Sequence, residues 1–588
     1  MNVRALGRED LRQVSHLHRD SVRGWSPPST AWLRSPTFLT SVVIGAVTLA
    51  LRLTYGASGP TDTDGAQFVS GSGRFDVAHG SPAAPGSWLY VAAGHAVHLV
   101  TGLNAVHSLV VLAALASAGA AALTCVAGTA LGGRFVGVAS ALLVASAPAS
   151  WFAGSTVSAY GFDTMVGALL VVLARRARPY RAHGVVAAVV LMLGAGVRLS
   201  MLPAFALLAG IAVVASVRTV GQLLATVAGG LAALAAWLAP VIAIQPGGFQ
   251  AWVHAVHVQI SDAAQSSSVF VAPASRAVTN IGTFGAWSIV SLGPVVLIGI
   301  LGIVALMAAR IVTRHPAGNV ARRIWSTTHE PIDRIERPWY QRTGAVLGAA
   351  VVPPVALVAL GRFAGGGDVL WYLAPVTVLM LLPVARLLHH RTPGVRAVAG
   401  VVASLLVAGI VAVNIQRFVA APGILPASVA RDHPGWWLSQ PRYQAPYAET
   451  AQTIRSADAT DRSFGQLRSV ADPATDVIVC VSSQNGAAIF RRLGAELPSF
   501  RIVLVDPVQF LERDGLLFPA HTSILRVGPG GHAVFLVSTP SAQMRTLASS
   551  GAAARTATTV AGAQVWRVQP GATLFGVTVT QSSPRRPR

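Results

Sequence analysis

Three carboxylates lie close together in the segment TDTDGAQFVSGSGRFDVAH, which follows the first long apolar run of the chain. They are Asp62, Asp64 and Asp76. A positioned carboxylate can take the proton of an alcohol and so turn a weak nucleophile into a reactive one. Two carboxylates two residues apart can also form a like-charge pair, which raises the pKa of one partner. The structural alternative is an Asx-type turn at TDTDG, which is common where Asp precedes Gly.

The rest of the chain is strongly apolar. Of its 588 residues 53% are hydrophobic and only 11% are charged, which is outside the range of soluble globular proteins. The formal net charge of +22 is spread in short clusters between apolar segments, so it does not form the basic face of a nucleic-acid-binding protein. The composition predicts a membrane protein with the lipid bilayer, and no nucleic acid, as a partner.

Apolar windows long enough to cross a bilayer define the predicted helices. A crossing needs about 20 apolar residues, and about eleven spans are predicted. The windows are 38–55, 105–130, 135–150, 157–174, 184–198, 200–217, 221–243, 283–309, 344–361, 369–388 and 397–415.

Arginine positions predict the orientation, because basic loops stay on the cytoplasmic side. With a cytoplasmic N-terminus, the inner segments hold most of the arginines of the membrane part. The outer loops and outer span ends before residue 416 then hold only Arg52, Arg74, Arg198, Arg276 and Arg362. We therefore predict a multi-pass protein of the plasma membrane.

The acidic residues show the opposite distribution. Apart from those of the inner loop around 310–342, the acids between residues 37 and 429 are Asp62, Asp64, Asp76, Asp163, Asp262 and Asp368, and all map to the predicted outer side. A charge near the middle of the membrane costs at least about 2.5 kcal/mol. Six outward carboxylates therefore indicate a working face, although Asp262 and Asp368 could equally be ordinary loop residues.

The sequence divides into five parts. Residues 1–36 form a predicted cytoplasmic tail and 37–415 the membrane domain. The first outer loop, 56–104, combines the acidic segment with a helix that we expect to lie along the interface. After a Trp/Pro-rich connector at 416–445, residues 446–575 alternate strand-like runs with helical stretches, which predicts an extracytoplasmic α/β domain. Residues 576–588 are predicted to be disordered.

Several short motifs resemble the GT-C superfamily of membrane glycosyltransferases, in particular the protein O-mannosyltransferase-like families. In that pattern an acid after the first span is followed by a His-Pro-Pro-Gly turn and a Leu-Tyr helix start. Asp64 and His79 have this spacing, and PGSWLY with Tyr90 follows, although GSPAA is inserted after His79. The resemblance covers roughly residues 37–415 and is strongest up to about 205.

Later motifs extend the resemblance. An aromatic pair followed by Glu-x-Tyr is matched by WFAGSTVSAY, which ends at Tyr160 and has Ser158 where the family often has Glu. Asp163, one helical turn further on, could substitute. GAGVRLSMLP resembles an outer elbow between two middle spans, and DVLWYLAPVTVLMLLP resembles a late span, with Trp371 where Arg is common.

The resemblance implies a mainly α, polytopic helical bundle. It also implies transfer of a hexose or pentose from a polyprenyl-phosphate donor to a glycan, lipid or protein acceptor on the outer face, with inversion. Asp64 is then the expected general base, and Asp62 is the alternative. His79, Tyr90, Tyr160 and Asp163 are expected substrate-binding residues.

The departing lipid phosphate would gain negative charge, which a guanidinium can bind with two parallel hydrogen bonds. Arg198 is the first candidate, because it ends an apolar span where an unpaired charge is costly. Its alternative is snorkelling to the interface. Arg52 and Arg362 occupy similar span ends, whereas Arg74 could simply pair with Asp76.

His254 and His257 lie three apart in QPGGFQAWVHAVHVQISDAAQSSS, so on a helix they share a face. This spacing permits a divalent metal but provides no clear third and fourth ligand. An interfacial Trp/His helix and an acceptor or carrier contact are the alternatives. No metal site and no other cofactor is predicted.

Two other functions remain open from the sequence. A polytopic transporter would also have many spans and an intramembrane Arg, but it usually shows two related halves, and no internal repeat is present. A non-catalytic cell-envelope assembly protein would instead use its outer α/β domain to bind polymer.

Overall fold

Long helices dominate the part of the chain that the computed structural model describes. It describes residues 35–268, 270–271, 273–312, 338–361, 366–389, 393–420, 449–481, 490, 492–494, 497, 499–505, 524–538, 542–561, 563–575 and 577–582. The helices before the C-terminal domain are α1 Pro36–Thr54, α2 Thr63–Gly73, α3 Trp88–Thr101, α4 Ala105–Gly132, α5 Arg134–Ser146, α6 Pro148–Ser155, α7 Gly161–Arg176, α8 His183–Val197, α9 Met201–Ser216, α10 Val220–Ile244, α11 Gly248–Ser267, α12 Ala274–Val312, α13 Thr343–Ala356, α14 Gly366–Leu388 and α15 Pro393–Ala420.

Each of the eleven predicted windows overlaps a helix, but the window 135–150 runs across the break between α5 and α6. In the described residues, seven helices are long and apolar enough to cross a membrane, and α5 with α6 makes an eighth if they count as one span. These two helices are bent by 60° around Ala147, where Pro148 starts a new helix without a backbone N–H. Helices α8 and α9 are shorter apolar helices. The chain is therefore a multi-pass membrane protein.

Small residues bring the central helices close together. Helix α4 is rich in Ala, Gly and Ser, and it packs against α5 where a Cβ on Gly128 would lie 2.9 Å from the Cα of Gly137. Such stripes allow membrane helices to pack backbone to backbone. In α4 and α14 most of the apolar window is buried, whereas α1, α10 and α15 expose large apolar side chains that fit contact with lipid.

The alternation of helices gathers the acids at one end of the bundle, which we call the acidic end. It contains the C-terminal ends of α1, α8 and α10 and the N-terminal ends of α7 and α14. Ion pairs across these ends join Arg198 to Asp163 and Asp368. Gln245 at the end of α10 donates a hydrogen bond to Asp76 over 3.1 Å, so the first loop belongs to the same end.

The first loop is more helical than its acidic sequence suggests. Helix α3 forms in the second half of the loop, where a helix was expected, and the acidic segment itself forms α2. The reason is a helix cap, since Asp62 accepts the N–H of Gly65 over 2.6 Å. A 3₁₀ turn at Val77–His79 follows, and Arg74 and Asp76 pair at 3.6 Å, as the sequence suggested.

The described residues of the C-terminal domain form two sheets. It contains helices α16 Ala451–Phe464 and α17 Ala542–Ser549 and strands β1 Val477–Val481, β2 Arg501–Val505, β3 Ile524–Val527, β4 Ala533–Ser538, β5 Ala553–Val560, β6 Ala563–Val568, β7 Thr573–Leu574 and β8 Val577–Gln581. The larger sheet has the order β2-β1-β4-β6-β5, in which β1 runs parallel to β2 and β4, and β6 antiparallel to β4 and β5. The smaller sheet has the order β3-β8-β7.

The structure corrects two expected boundaries. The end of the chain was expected to be disordered from 576, but Val577–Gln581 is β8, because the alternating sequence VTVTQ pairs with β3 and β7. The connector was expected from 416, but α15 continues to Ala420 and buries Phe418. The remainder of the expected connector and residues 1–34 of the expected tail lie outside the described residues.

Candidate functional site

Arg198 is the centre of the polar cluster at the acidic end. It is the first residue after α8, with an extended backbone, and its side chain turns back toward the starts of α7 and α14. One guanidinium nitrogen donates to Asp163, and another lies 3.6 Å from Asp368. The indole of Trp371 donates to the same oxygen of Asp163 over 2.7 Å. Asp163 is fully buried, so these contacts offset the cost of removing its charge from water.

Two aromatic rings enclose the guanidinium. Its central carbon lies 4.1 Å from the ring centre of Tyr160 and 5.2 Å from that of Trp371. Both distances fit cation–π contacts. Gly367 permits this arrangement, because a Cβ at that position would overlap the Tyr160 ring. The Arg198 side chain keeps 18% of its surface accessible.

Asp64 is joined to this cluster through Tyr160. The Tyr160 hydroxyl donates to Asp64 over 3.4 Å, a long hydrogen bond. Asp64 is exposed, whereas Tyr160 is half-buried and Arg198 lies behind it. The site thus runs from an open carboxylate, through a phenol, to a guanidinium held by two buried carboxylates.

Asp62 has a structural role in addition to its charge. One of its oxygens caps α2 through the N–H of Gly65. Residue Asp62 is exposed to solvent overall, but nearby protein atoms displace water from around its carboxyl group. This surrounding protein and the nearby charge of Asp64 raise the pKa of Asp62 to about 6. Asp62 therefore takes up a proton at a far higher pH than an ordinary Asp does.

Other residues singled out in the sequence have different surroundings. Arg52 is fully buried, where it donates to the hydroxyl of Ser117 over 3.1 Å and to the carbonyl of Ala145 and stacks on Trp151. Tyr90 is also fully buried, and its hydroxyl donates to the carbonyl of Leu109 over 3.0 Å. Neither side chain is brought to the Arg198 cluster by these contacts.

The histidines of α11 lie on a surface helix. His254 and His257 are both exposed, while Trp252 on the same helix is buried and donates to the carbonyl of Pro85 over 3.0 Å. In the described part of the chain no group of three His, Cys, Asp or Glu has metal-binding geometry. The side chain of His79 and the whole of Arg362 lie outside the described residues.

Two members of the cluster were not selected as site residues from the sequence. Asp368 was treated as equally consistent with an ordinary loop acid, and Trp371 was noted only as a departure from a family pattern. The signal that could have found them is their spacing on α14, since positions three apart share a helix face. Both then face Arg198.

The fold is similar to that of ArnT from Cupriavidus metallidurans. The crystal structure of ArnT bound to undecaprenyl phosphate superposes with a TM-score of 0.52 and 14% sequence identity, over 92% of this chain and 98% of the ArnT chain. The apo structure gives a TM-score of 0.46 and 13% identity over the same shares. No protein-family model matches the chain, and no curated protein matches it at a significant level. The predicted fold class, a mainly α polytopic helical bundle with a C-terminal α/β domain, is confirmed, and the chain shares its fold with ArnT.

Proposed function

We propose that this chain is a membrane glycosyltransferase that uses a polyprenyl-phosphate-linked sugar. The fold is shared with ArnT, whose crystal structure contains undecaprenyl phosphate. The observation that carries the proposal is the exposed carboxylate of Asp64, which accepts a hydrogen bond from Tyr160. The Tyr160 ring in turn stacks on the guanidinium of Arg198. Transfer of a sugar to a hydroxyl needs a base that a water-borne acceptor can reach, and Asp64 offers one beside a cationic group.

The proposed reaction inverts the anomeric carbon in one displacement. The acceptor oxygen attacks that carbon as its proton passes to the Asp64 carboxylate, and the bond between the carbon and the phosphate oxygen breaks. The electron pair of that bond leaves with the lipid phosphate, whose negative charge increases. The sugar is expected to be a hexose or pentose, and the acceptor a glycan, a lipid or a protein.

Asp64 is a better general base than Asp62 on geometric grounds. One oxygen of Asp62 is committed to the cap of α2, and an acceptor proton would have to compete with that hydrogen bond. Asp64 lies in the first turn of α2, and its contact with Tyr160 is long. A long contact can be exchanged for a shorter one to an incoming hydroxyl.

Arg198 has two possible roles in this scheme. As a phosphate-binding residue it would use its accessible edge to hold the departing charge. As a positioning residue it would keep Tyr160 in place below Asp64. The two carboxylates that already neutralise it favour the positioning role, because they weaken its attraction for a further anion.

We also propose that the acidic end faces the outside of the plasma membrane. The opposite end carries Arg134, Arg175, Arg176 and Arg218 at or next to helix termini. Arginine-rich ends stay in the cytoplasm. The N-terminus is then cytoplasmic, and the C-terminal domain, which follows α15 at the acidic end, is extracytoplasmic.

The test is transfer of a labelled sugar by the purified protein. A panel of radiolabelled polyprenyl-phosphate sugars is incubated with an envelope extract as acceptor, and the loss of label from the lipid is followed. Asp64→Asn should lower the rate on the order of 10²- to 10⁴-fold, the usual cost of losing a general base. Asp62→Asn, the matched variant, should retain activity, because Asn also caps helices. Transfer by Asp64→Asn at the wild-type rate would rule the mechanism out and would favour a transporter or an assembly protein.

A further inference from the structure

The C-terminal domain forms hydrogen bonds with the loop that leads into the candidate catalytic helix. This α1–α2 loop, Tyr55–Asp62, connects the first membrane helix to the helix that carries Asp64. Asp458 on α16 accepts the backbone N–H of Ser58 over 2.9 Å and that of Gly59 over 3.2 Å. A carboxylate that bonds two successive backbone amides fixes their peptide planes, and such charge-assisted bonds are stronger than neutral ones.

Close contact on the same side fixes the loop further. A Cβ on Gly59 would overlap a carboxylate oxygen of Asp461, so only glycine fits at this point. Asp461 is itself held by two nitrogens of Arg492, at 2.9 and 2.6 Å. Arg492 also donates to the carbonyl of Ala457 over 2.9 Å, which ties it to α16. The surface that meets the loop is therefore rigid.

The opposite side of the loop is held by the membrane domain. The N–H of Ala57 donates to the carbonyl of Ser155 at the end of α6 over 2.8 Å. Ala57 is fully buried in an apolar cluster that joins Trp151 and Phe418 of the membrane helices to Ala451 and Ile454 of α16. Two domains thus meet around one short loop.

We infer that α16 is a positioning element of the active site, in which Asp458 holds the α1–α2 loop and thereby sets the place of Asp64. Ser58 and Gly59 precede Asp62 by only a few residues, and Asp62 starts the helix whose first turn contains Asp64. Few backbone torsions separate the bound amides of Ser58 and Gly59 from the Asp64 carboxylate, so a shift of the loop moves Asp64. The inference rests on the proposed function, because it gives Asp64 the role of base. It also gives the C-terminal domain a task beyond binding or stabilisation.

The experiment compares Asp458→Ala with Asp458→Asn in the full-length protein. Asn keeps an oxygen that can accept both amides, whereas Ala removes it. Arg455→Ala, an exposed position one turn earlier on α16, is the matched control. Two readouts are needed. One is kcat and KM for sugar transfer, and the other is hydrogen–deuterium exchange of the peptide that contains Ser58 and Gly59.

We expect Asp458→Ala to exchange faster at these two amides and to lose kcat on the order of 10- to 100-fold, with KM for the lipid donor little changed, because small displacements of catalytic groups cost about this much. Asp458→Asn and Arg455→Ala should stay near the wild type in both readouts. Unchanged exchange and unchanged kcat in Asp458→Ala would overturn the inference. The inference would also be overturned if Asp458→Asn and Asp458→Ala lost the same activity and if this loss matched the fall in folded protein. That result would indicate a merely stabilising contact.

Failure of the proposed function has a different signature. If Asp458→Ala speeds hydrogen exchange in the loop, but Asp64→Asn transfers sugar as the wild type does, the positioning of the loop by Asp458 is supported. The assignment of Asp64 as general base is then wrong. The exchange measurement needs no substrate, so it tests the contact between Asp458 and the loop even if the protein accepts no donor in the panel.

Discussion

Replacement of Arg198 by leucine should destabilise the protein strongly. Asp163 is fully buried and Asp368 nearly so, and Arg198 is their shared cation. Removing one partner of a buried ion pair costs about 3–5 kcal/mol, because the charge left behind keeps no counterion. Among the side chains that the structure describes, the Trp371 indole would still donate a hydrogen bond to Asp163. The lost cation–π contacts add roughly 1–2 kcal/mol.

A double-mutant cycle measures how much of this loss is the unpaired carboxylate. The free energy of unfolding in mixed micelles is determined for Arg198→Leu, for Asp163→Asn and for the double variant. Asp163→Asn removes the charge at position 163, so the double variant should recover part of the stability that Arg198→Leu loses, with a coupling energy of about 0.5–3 kcal/mol. Sugar transfer by the double variant then separates the two roles of Arg198. If Arg198 binds the lipid phosphate, the double variant still lacks that cation and should stay as inactive as Arg198→Leu. If Arg198 positions Tyr160, the recovered stability should restore part of the transfer rate.

Wild-type stability of Arg198→Leu alone would refute this account of the cluster. A cost of Asp163→Asn that simply adds to that of Arg198→Leu, without any rescue, would refute it equally. Either result would mean that water or other groups solvate Asp163, and that the ion pairs do not hold this end of the bundle together.

Three single side chains lead to further predictions. Tyr160→Phe keeps the ring over Arg198 and removes only the hydroxyl, so it should cost no more than about 1.5 kcal/mol in stability but lower kcat, measured by the same transfer assay. The transfer rate of the wild type is expected to change around pH 6, where the Asp62 carboxyl takes up a proton, and Asp62→Asn should keep the cap of α2 and remove this change. Glu449, before α16, has a pKa raised by burial from the ordinary 4.5 to about 8, so its protonated form is favoured by folding. The stability it contributes is full below pH 4.5 and is lost as the pH rises through about 8; Glu449→Gln should flatten this fall in thermal midpoints measured from pH 5 to 9.

Hydropathy and length were sufficient to find the membrane helices. The windows at 105–130 and 221–243 match α4 and α10 to within three residues at each end, because a span needs an uninterrupted apolar run. Strand β5 has no comparable signal, since its sequence AARTATTV contains polar and small residues and half of its residues are exposed. Local sequence shows apolar runs well, but it shows strands of polar and small residues poorly.

The partners of the charged residues could not be read from the chain in the same way. Asp163 and Arg198 were both recognised as unusual, but they were assigned to separate substrate groups instead of to each other. Their pairing depends on how α7 and α8 are rotated, which packing decides. Arg52 was expected to be a phosphate-binding candidate at an outer span end, whereas it donates to the hydroxyl of Ser117 and the carbonyl of Ala145 inside the bundle. Such polar contacts across helices leave no periodic signal in the sequence.

The assembly of the Arg198 cluster from two consecutive helices, α7 and α8, and the much later α14 has a consequence for biosynthesis. The ribosome delivers α7 and α8 to the membrane well before α14, which brings Asp368 and Trp371. During that interval the guanidinium has one carboxylate beside it and no indole. A chain that stops early therefore keeps poorly shielded charges at its helix ends, which lipid disfavours.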